Sequence, residues 1–116
     1  MTVDSSFWDY VSQLVAEHDL IIDRPQGFPH PDHPDRLYPV SYGCLKGTTA
    51  GDGEGVDVWI GSHDQADVVG VIATVDLAKH NTELKILLAC TDEEIRSIID
   101  FLNHGDMRCW LVRRFD

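Results

Sequence analysis

Hydrophobic and polar positions follow two different periods along this chain, and the changes of period mark out its elements. Between Ser5 and His18 the residues Phe7, Tyr10, Val11, Leu14 and Val15 recur at helical spacing, with Asp4 or Ser5 placed to cap the start. That stripe is expected to face the core, while Trp8 lies beside it as a candidate to cover a partner surface. Leu20-Ile21-Ile22 reads as a short strand carrying Asp23 and Arg24 to Pro25. From Gln26 to Asp35, Pro29, Pro31 and Pro34 remove amide donors and fix φ, which predicts an extended loop outside any sheet interior. Arg36 to Cys44 returns as a strand, with Tyr38, Val40 and Tyr42 on one face at period two. A glycine-rich turn leads to Val56–Ile60, a buried strand.

After a polar turn at Gly61 to Asp67, Val68 to Val75 is almost wholly apolar and β-branched, as a central strand would be, and ends in Asp76. Leu77 to Thr82 is expected to be a loop bearing Lys79, His80 and Asn81. Glu83 and Lys85 then open the strand Leu84 to Ala89 and share one of its faces. Thr91-Asp92-Glu93-Glu94 is a capping box, followed by the stripe Ile95, Ile98, Ile99 and Leu102 to Asn103, and Gly105 is a natural stop. Met107 to Val112 is the closing strand, with Arg113 and Arg114 exposed beyond it. The expected class is α+β: a small OB-like β-barrel of about five to six strands, closed or nearly closed, with an N-terminal and a C-terminal helix. The 116 residues read as one domain: helix at 1–19, barrel core with an acidic loop at 20–90, helix at 91–104 and closing strand at 106–114.

Composition narrows the function. Hydrophobic residues at 43% and charged residues at 25% are ordinary for a soluble globular protein. A net charge of −11, from 20 acidic against 9 basic residues, argues against nucleic-acid backbones and anionic membrane surfaces as partners. No apolar run approaches the roughly 20 residues needed to span a bilayer, and the N-terminus shows no basic flank or apolar core of a signal peptide. Cys44, Cys90 and Cys109 lack CxxC spacing and lie in apolar context, so reduced, mostly buried thiols of a cytoplasmic protein are expected.

The candidate chemistry centres on Asp52, Glu54 and Asp57. Gly51, Gly53 and Gly55 free that turn to take positive φ, so that side-chain oxygens can converge. Convergent carboxylates repel unless protons or a cation lie between them. Oxygen donors suit Mg²⁺, Mn²⁺ or Ca²⁺; a solvated acidic turn is the alternative. Asp76 and Glu83 flank a second inter-strand loop. If both loops open on one rim, five carboxylates face one cleft beside Lys85, Tyr38 and Tyr42. Two divalent cations there would hold a water and clamp phosphoryl oxygens, with Lys85, Arg36 and Tyr42 on the departing phosphate. His30 and His33 read either as transition-metal ligands or as plain loop residues.

The run Tyr-Pro-x-x-Tyr-Gly at Tyr38 to Gly43, then Asp-Gly-Glu-Gly-Val-Asp-Val at Asp52 to Val58, resembles soluble inorganic pyrophosphatases of the OB-barrel family. Their signature is Asp-Gly-Asp-Pro-hydrophobic-Asp-Val at the same distance from the tyrosine strand. The likeness extends in order through Ile21 to Pro25, with Asp23 in the acidic position, the pair Asp35-Arg36, Gly70 to Asp76, Glu83-Leu84-Lys85, the capped helix and the Trp110 strand. It spans roughly Leu20 to Val112 and is more specific as an ordered set than any one motif.

The resemblance implies Mg²⁺-dependent hydrolysis of pyrophosphate, with Mn²⁺ as an alternative metal. Asp52, Asp57, Asp76 and Glu83 are the implied metal ligands, and Glu54 and Asp57 the catalytic pair around the attacking water. Arg36, Tyr42, Lys85, Tyr38 and Asp23 are implied on the substrate side, and homo-oligomers are common in the family. Several departures stand out. Glu54 is one methylene longer than the family's Asp, and Gly55 replaces its proline. The segment from Gly27 to Arg36 lacks the family's lysine and glutamate, and a hairpin there is shortened to the proline-rich loop. His104-Gly105-Asp106 stands where a Tyr-Lys pair would bind phosphate, and the final extension is missing. These keep two alternatives open: a hydrolase of another phosphoanhydride or phosphoester, or a non-catalytic module that binds metal or phosphate on the same barrel.

Overall fold

The computed structural model describes residues 6–115. Its elements run α1 (Ser6–Ala16), β1 (Leu20–Arg24), β2 (Ser41–Leu45), β3 (Val56–Ile60), β4 (Val68–Asp76), β5 (Asn81–Leu88), α2 (Asp92–Leu102) and β6 (Met107–Arg113). The six strands form one mixed sheet in the order β1-β2-β3-β5-β4-β6. All neighbours are antiparallel except the parallel pair β3 and β5. The class is α+β, as expected. The sheet has β1 and β6 as edges, so the closed form of the barrel is not what this chain builds.

Side chains alternate across the sheet and split its contacts between two cores. Val58, Val71, Ile86 and Leu88 pack with Trp8 of α1, while Trp59, Ile72 and Leu87 pack with Ile95, Ile98 and Leu102 of α2. The two helices therefore cover opposite faces. On α2 the predicted capping box is present: the Thr91 hydroxyl accepts from the Glu94 amide at 3.2 Å, and the Glu94 carboxylate accepts from the Thr91 amide at 2.9 Å. Thr91→Ala is expected to lower stability by about 1 kcal/mol, read as a lower urea midpoint at unchanged slope.

Two expectations about local structure are corrected. On α1 the inward residue is Trp8, 7% exposed, with Val11, Leu14 and Val15 partly buried beside it, whereas Phe7 and Tyr10 are exposed at 42% and 74%. The stripe is rotated because an indole covers the sheet between Leu45, Val58 and Val71 more fully than a tyrosine whose hydroxyl needs water. The proposed caps Asp4 and Ser5 lie outside the described residues. The second correction is that β2 begins at Ser41, so Arg36 and Tyr38 lie before it. Pro39 has no amide to donate to a ladder. The chain ahead of it instead folds back on the proline loop: Tyr38 N–H donates to Phe28 O at 2.9 Å, and His30 N–H to Arg36 O at 2.9 Å. The loop from Gln26 to Asp35 is thereby tied down at its base, outside the sheet.

One close approach constrains β1. A Cβ on Gly43 would overlap the Ile21 carbonyl, so only glycine lets β1 lie this near β2. Past that contact the register slips between Ile22 and Arg24, leaving Asp23 as the extra residue of a bulge.

Candidate functional site

The same alternation that sorts the core also assembles a site. Tyr42 and Cys44 on β2, Asp57 and Trp59 on β3, and Glu83 and Lys85 on β5 all belong to the α2 face of the sheet. Tyr42 is paired with Trp59 and Cys44 with Asp57, while Val58 pairs with Ile86, which brings Asp57 beside Lys85. Asp76, the last residue of β4, pairs with Asn81 two positions before Glu83. These residues open into one cleft of about 870 Å³. All ten residues singled out in the sequence line it: Asp23, Arg36, Tyr38, Tyr42, Asp52, Glu54, Asp57, Asp76, Glu83 and Lys85.

At its centre is Lys85, 5% exposed. Its Nζ donates to Tyr42 Oη at 2.7 Å, Asp57 Oδ2 at 3.0 Å and Glu83 Oε2 at 3.1 Å. An ammonium has three protons, and each is engaged. Such a buried charge is tolerated because two carboxylates and a hydroxyl surround it. Burial, and next the charge of the hydrogen-bonded Asp57 beside it, push the Tyr42 phenol far above its ordinary range. Tyr42 is therefore a neutral hydroxyl that accepts from Lys85 and donates to Asp57. Trp59 packs against it with ring centroids 4.6 Å apart and ring planes tilted by 58°.

The acidic turn is an Asx-turn. Asp52 Oδ1 accepts from the Glu54 amide at 3.0 Å, and Gly53 takes φ +85°. Of the three glycines expected to adopt positive φ here, Gly53 alone does; Gly51 and Gly55 sit in ordinary regions because one reversal suffices to turn the chain. A hydrogen bond with Glu83, reinforced by the Glu54 amide, holds the Asp52 carboxyl below the usual range. Asp76 anchors the next turn, its Oδ1 accepting from the amides of Ala78 at 2.9 Å and Lys79 at 3.1 Å.

Another part of the lining carries arginines, histidines and aromatic rings. Arg24 donates to Tyr38 Oη and lies 5.3 Å over its ring, while Arg36 donates to Phe101 O and stacks 4.4 Å over that ring. His30 lies 5.3 Å from His33, which lies 5.9 Å from His104. Asp23 meets Cys44: burial, and then the Asp23 charge and hydrogen bond, raise that thiol above its ordinary range. The three cysteines are free thiols; Cys90 is buried and pushed up to about 12, chiefly by burial, whereas Cys44 and Cys109 are only partly buried, against the expectation of three mostly buried thiols.

The donor chemistry fits a hard cation. Asp52, Asp57, Asp76 and Glu83 offer carboxylate oxygens from three segments of one cleft, and the Asp52–Glu83 contact needs a proton or a cation between its partners. A finished cage is not assembled: among the described residues no three His, Cys, Asp or Glu side chains are arranged to hold a metal ion. Lys85 supplies the positive charge between Asp57 and Glu83 instead.

Sequence reasoning missed Phe101 and Lys79, which also line the cleft. Phe101 sits three residues after Ile98, a signal that its helix turn faces inward, but nothing local says that the end of α2 roofs a cleft. Lys79 had no signal beyond its charge.

No family model matches the chain, and no curated relative matches it. Solved structures that share its fold include the following two. An inorganic phosphatase from Anaplasma phagocytophilum aligns at TM-score 0.55 with 18% identity, over 81% of each chain. An inorganic pyrophosphatase from Coxiella burnetii aligns at TM-score 0.56 with 16% identity, over 81% of this chain and 82% of its own.

Proposed function

We propose that this protein is a divalent-cation-dependent hydrolase of inorganic pyrophosphate. The observation that carries the reading is the knot of Lys85, Tyr42, Asp57 and Glu83 at the base of a cleft that also holds Asp52, Glu54 and Asp76. The fold shared with an inorganic pyrophosphatase supports it. Asp52, Asp57, Asp76 and Glu83 are the groups that would hold Mg²⁺ or Mn²⁺, whose chemistry is to acidify a bound water and neutralise phosphoryl charge. Asp57 and Glu54 accept the proton of the attacking water. Arg36 orients a phosphoryl group with guanidinium donors its contact with Phe101 leaves over. The positive charge of Lys85, whose three protons stay on Tyr42, Asp57 and Glu83, offsets through space the charge that builds as the P–O–P bridge breaks and a second phosphate leaves. Asp23 and Tyr38 hold the substrate-side wall through Cys44 and Arg24.

The purified protein is expected to release two phosphates per pyrophosphate with millimolar Mg²⁺, to stop when a chelator is added, and to restart when Mg²⁺ is restored. Release unaffected by chelation, or none with any divalent cation, overturns the reading. The cleft volume of about 870 Å³ also admits a phosphorylated compound larger than pyrophosphate. Under that second reading, nucleoside diphosphates or sugar phosphates would be hydrolysed faster than pyrophosphate in a side-by-side panel.

A further inference from the structure

We infer that the end of the sheet left bare by α1 is a contact surface for a second copy of this chain, which meets it face to face about a two-fold axis. The surface lies on the side of the sheet away from the cleft, so the inference does not rest on the proposed reaction. Val71 and Ile86 pack with Trp8 of α1. One row further along the strands, Ala73 is flanked by Leu84 and Trp110, and the row beyond sets Val75 between Thr82 and Arg108. Side chains alternate along a strand, so these two rows share the face that carries Val71. They are left in solvent: Trp110 is 75% exposed, Val75 50% and Leu84 48%. The cause is length. At 11 residues α1 is about 16 Å long, whereas the 9 residues of β4 run about 30 Å, and the helix covers one end only.

Area bears on what covers the other end. Leu77, exposed just past β4, extends the patch along a shallow groove that it lines with Val75, His80 and Thr82. Trp110, Leu84, Val75 and Leu77 present on the order of 500 Å² of apolar surface, the size of patches that are often functional on monomers. Two copies together remove about 1,000 Å² before any rim is counted, the size at which a contact becomes specific.

Charge and relief select the partner. The chain carries −11, so most approaches of one copy to another set carboxylates against carboxylates. Among the described residues of the two bare rows the charged side chain is Arg108, whose Nη1 folds back to the carbonyls of Gly105 and Met107. A two-fold axis crossing the strands between the rows lays each row on the other row of the second copy. Small Ala73 then meets Val75, Leu84 meets Thr82, and the Trp110 indole meets the Arg108 guanidinium, a favourable pair. Each contact is made twice, and both α1 helices stay outside the contact.

The test is sedimentation of the purified chain from about 1 µM to about 300 µM, at low and at high salt. A dimer is expected, with a dissociation constant in the micromolar range. It is expected to tighten at high salt, because screening relieves the repulsion between two acidic bodies. Trp110→Ser and, separately, Val75→Lys are each expected to weaken it at least about tenfold. Both positions are exposed, and a cooperative urea transition of unchanged slope at about 1 µM checks the fold. A chain that stays monomeric throughout, an association that high salt fails to tighten, or a dimer that either variant leaves intact overturns the inference.

Discussion

Asp57→Asn is expected to cut phosphate release by at least about a hundredfold, with little change in melting temperature. The asparagine is nearly the same shape and keeps an oxygen for the Lys85 ammonium, which lies 3.0 Å from Asp57 in the native protein. It removes the negative charge and the second acceptor oxygen. Under the proposed reading, a proton leaving the attacking water then has only Glu54 to receive it, and a divalent cation would lose one of its donors. The fold has less at stake, because Asp57 is partly exposed and Lys85 retains Glu83 at 3.1 Å. Phosphate release and thermal melting on the same preparation check both halves. Turnover equal to that of the native protein would mean the activity resides elsewhere.

Lys85→Met is expected to cost about 3 kcal/mol of stability, because it leaves two neighbouring carboxylates without the cation between them. Side chains of Asp57 and Glu83 are 25% and 21% exposed, so water relieves part of their repulsion and the loss sits at the low end for a broken buried pair. For a domain of this size that is a fall in melting temperature of roughly 10 °C. Methionine fills the aliphatic volume of lysine, so the loss reports charge and not a cavity. Millimolar Mg²⁺ is expected to restore more stability to the variant than to the native protein, since a cation then fills the role of the ammonium. A melting temperature unchanged by the substitution would show that the knot is not a structural keystone. Equal shifts with Mg²⁺ in both proteins would separate the cation site from Lys85. Phosphate release is expected to fall as well, and Lys85→Arg to recover little of it, because a planar guanidinium cannot aim at all three partners.

Much of this was legible in the residues. The capping box at Thr91, the helical stripe of Ile95, Ile98 and Leu102, the β-branched run of β4 and the period-two placement of Glu83 and Lys85 are local signals, and each element formed near where its pattern predicted, although β5 opens at Asn81, inside the expected loop, because Asn81 and Thr82 already pair with Asp76 and Val75 of β4. Patterns failed where two local readings competed. On α1, Tyr10 and Trp8 both fit an amphipathic helix, and their choice depended on the shape of the sheet surface beneath. At Arg36 to Pro39 the strand pattern lost to an amide missing at proline and to backbone partners offered by the preceding loop.

By itself the sequence determined the chemical parts: carboxylates on a glycine turn, a lysine two residues after a glutamate on one strand face, two tyrosines four apart, and an order of motifs resembling one hydrolase family. Tertiary structure decided which of them meet. The parallel pairing of β3 with β5 sets Asp57 beside Lys85 across 28 residues of chain, and no local pattern encodes that contact. The packing of α2 brings Phe101 onto Arg36 and, beyond its end, His104 onto His33. Periodicity reports which face a side chain occupies, because backbone geometry repeats along each element. It carries no information about which faces are pressed together, since that depends on sheet order and on the apolar area each pairing buries.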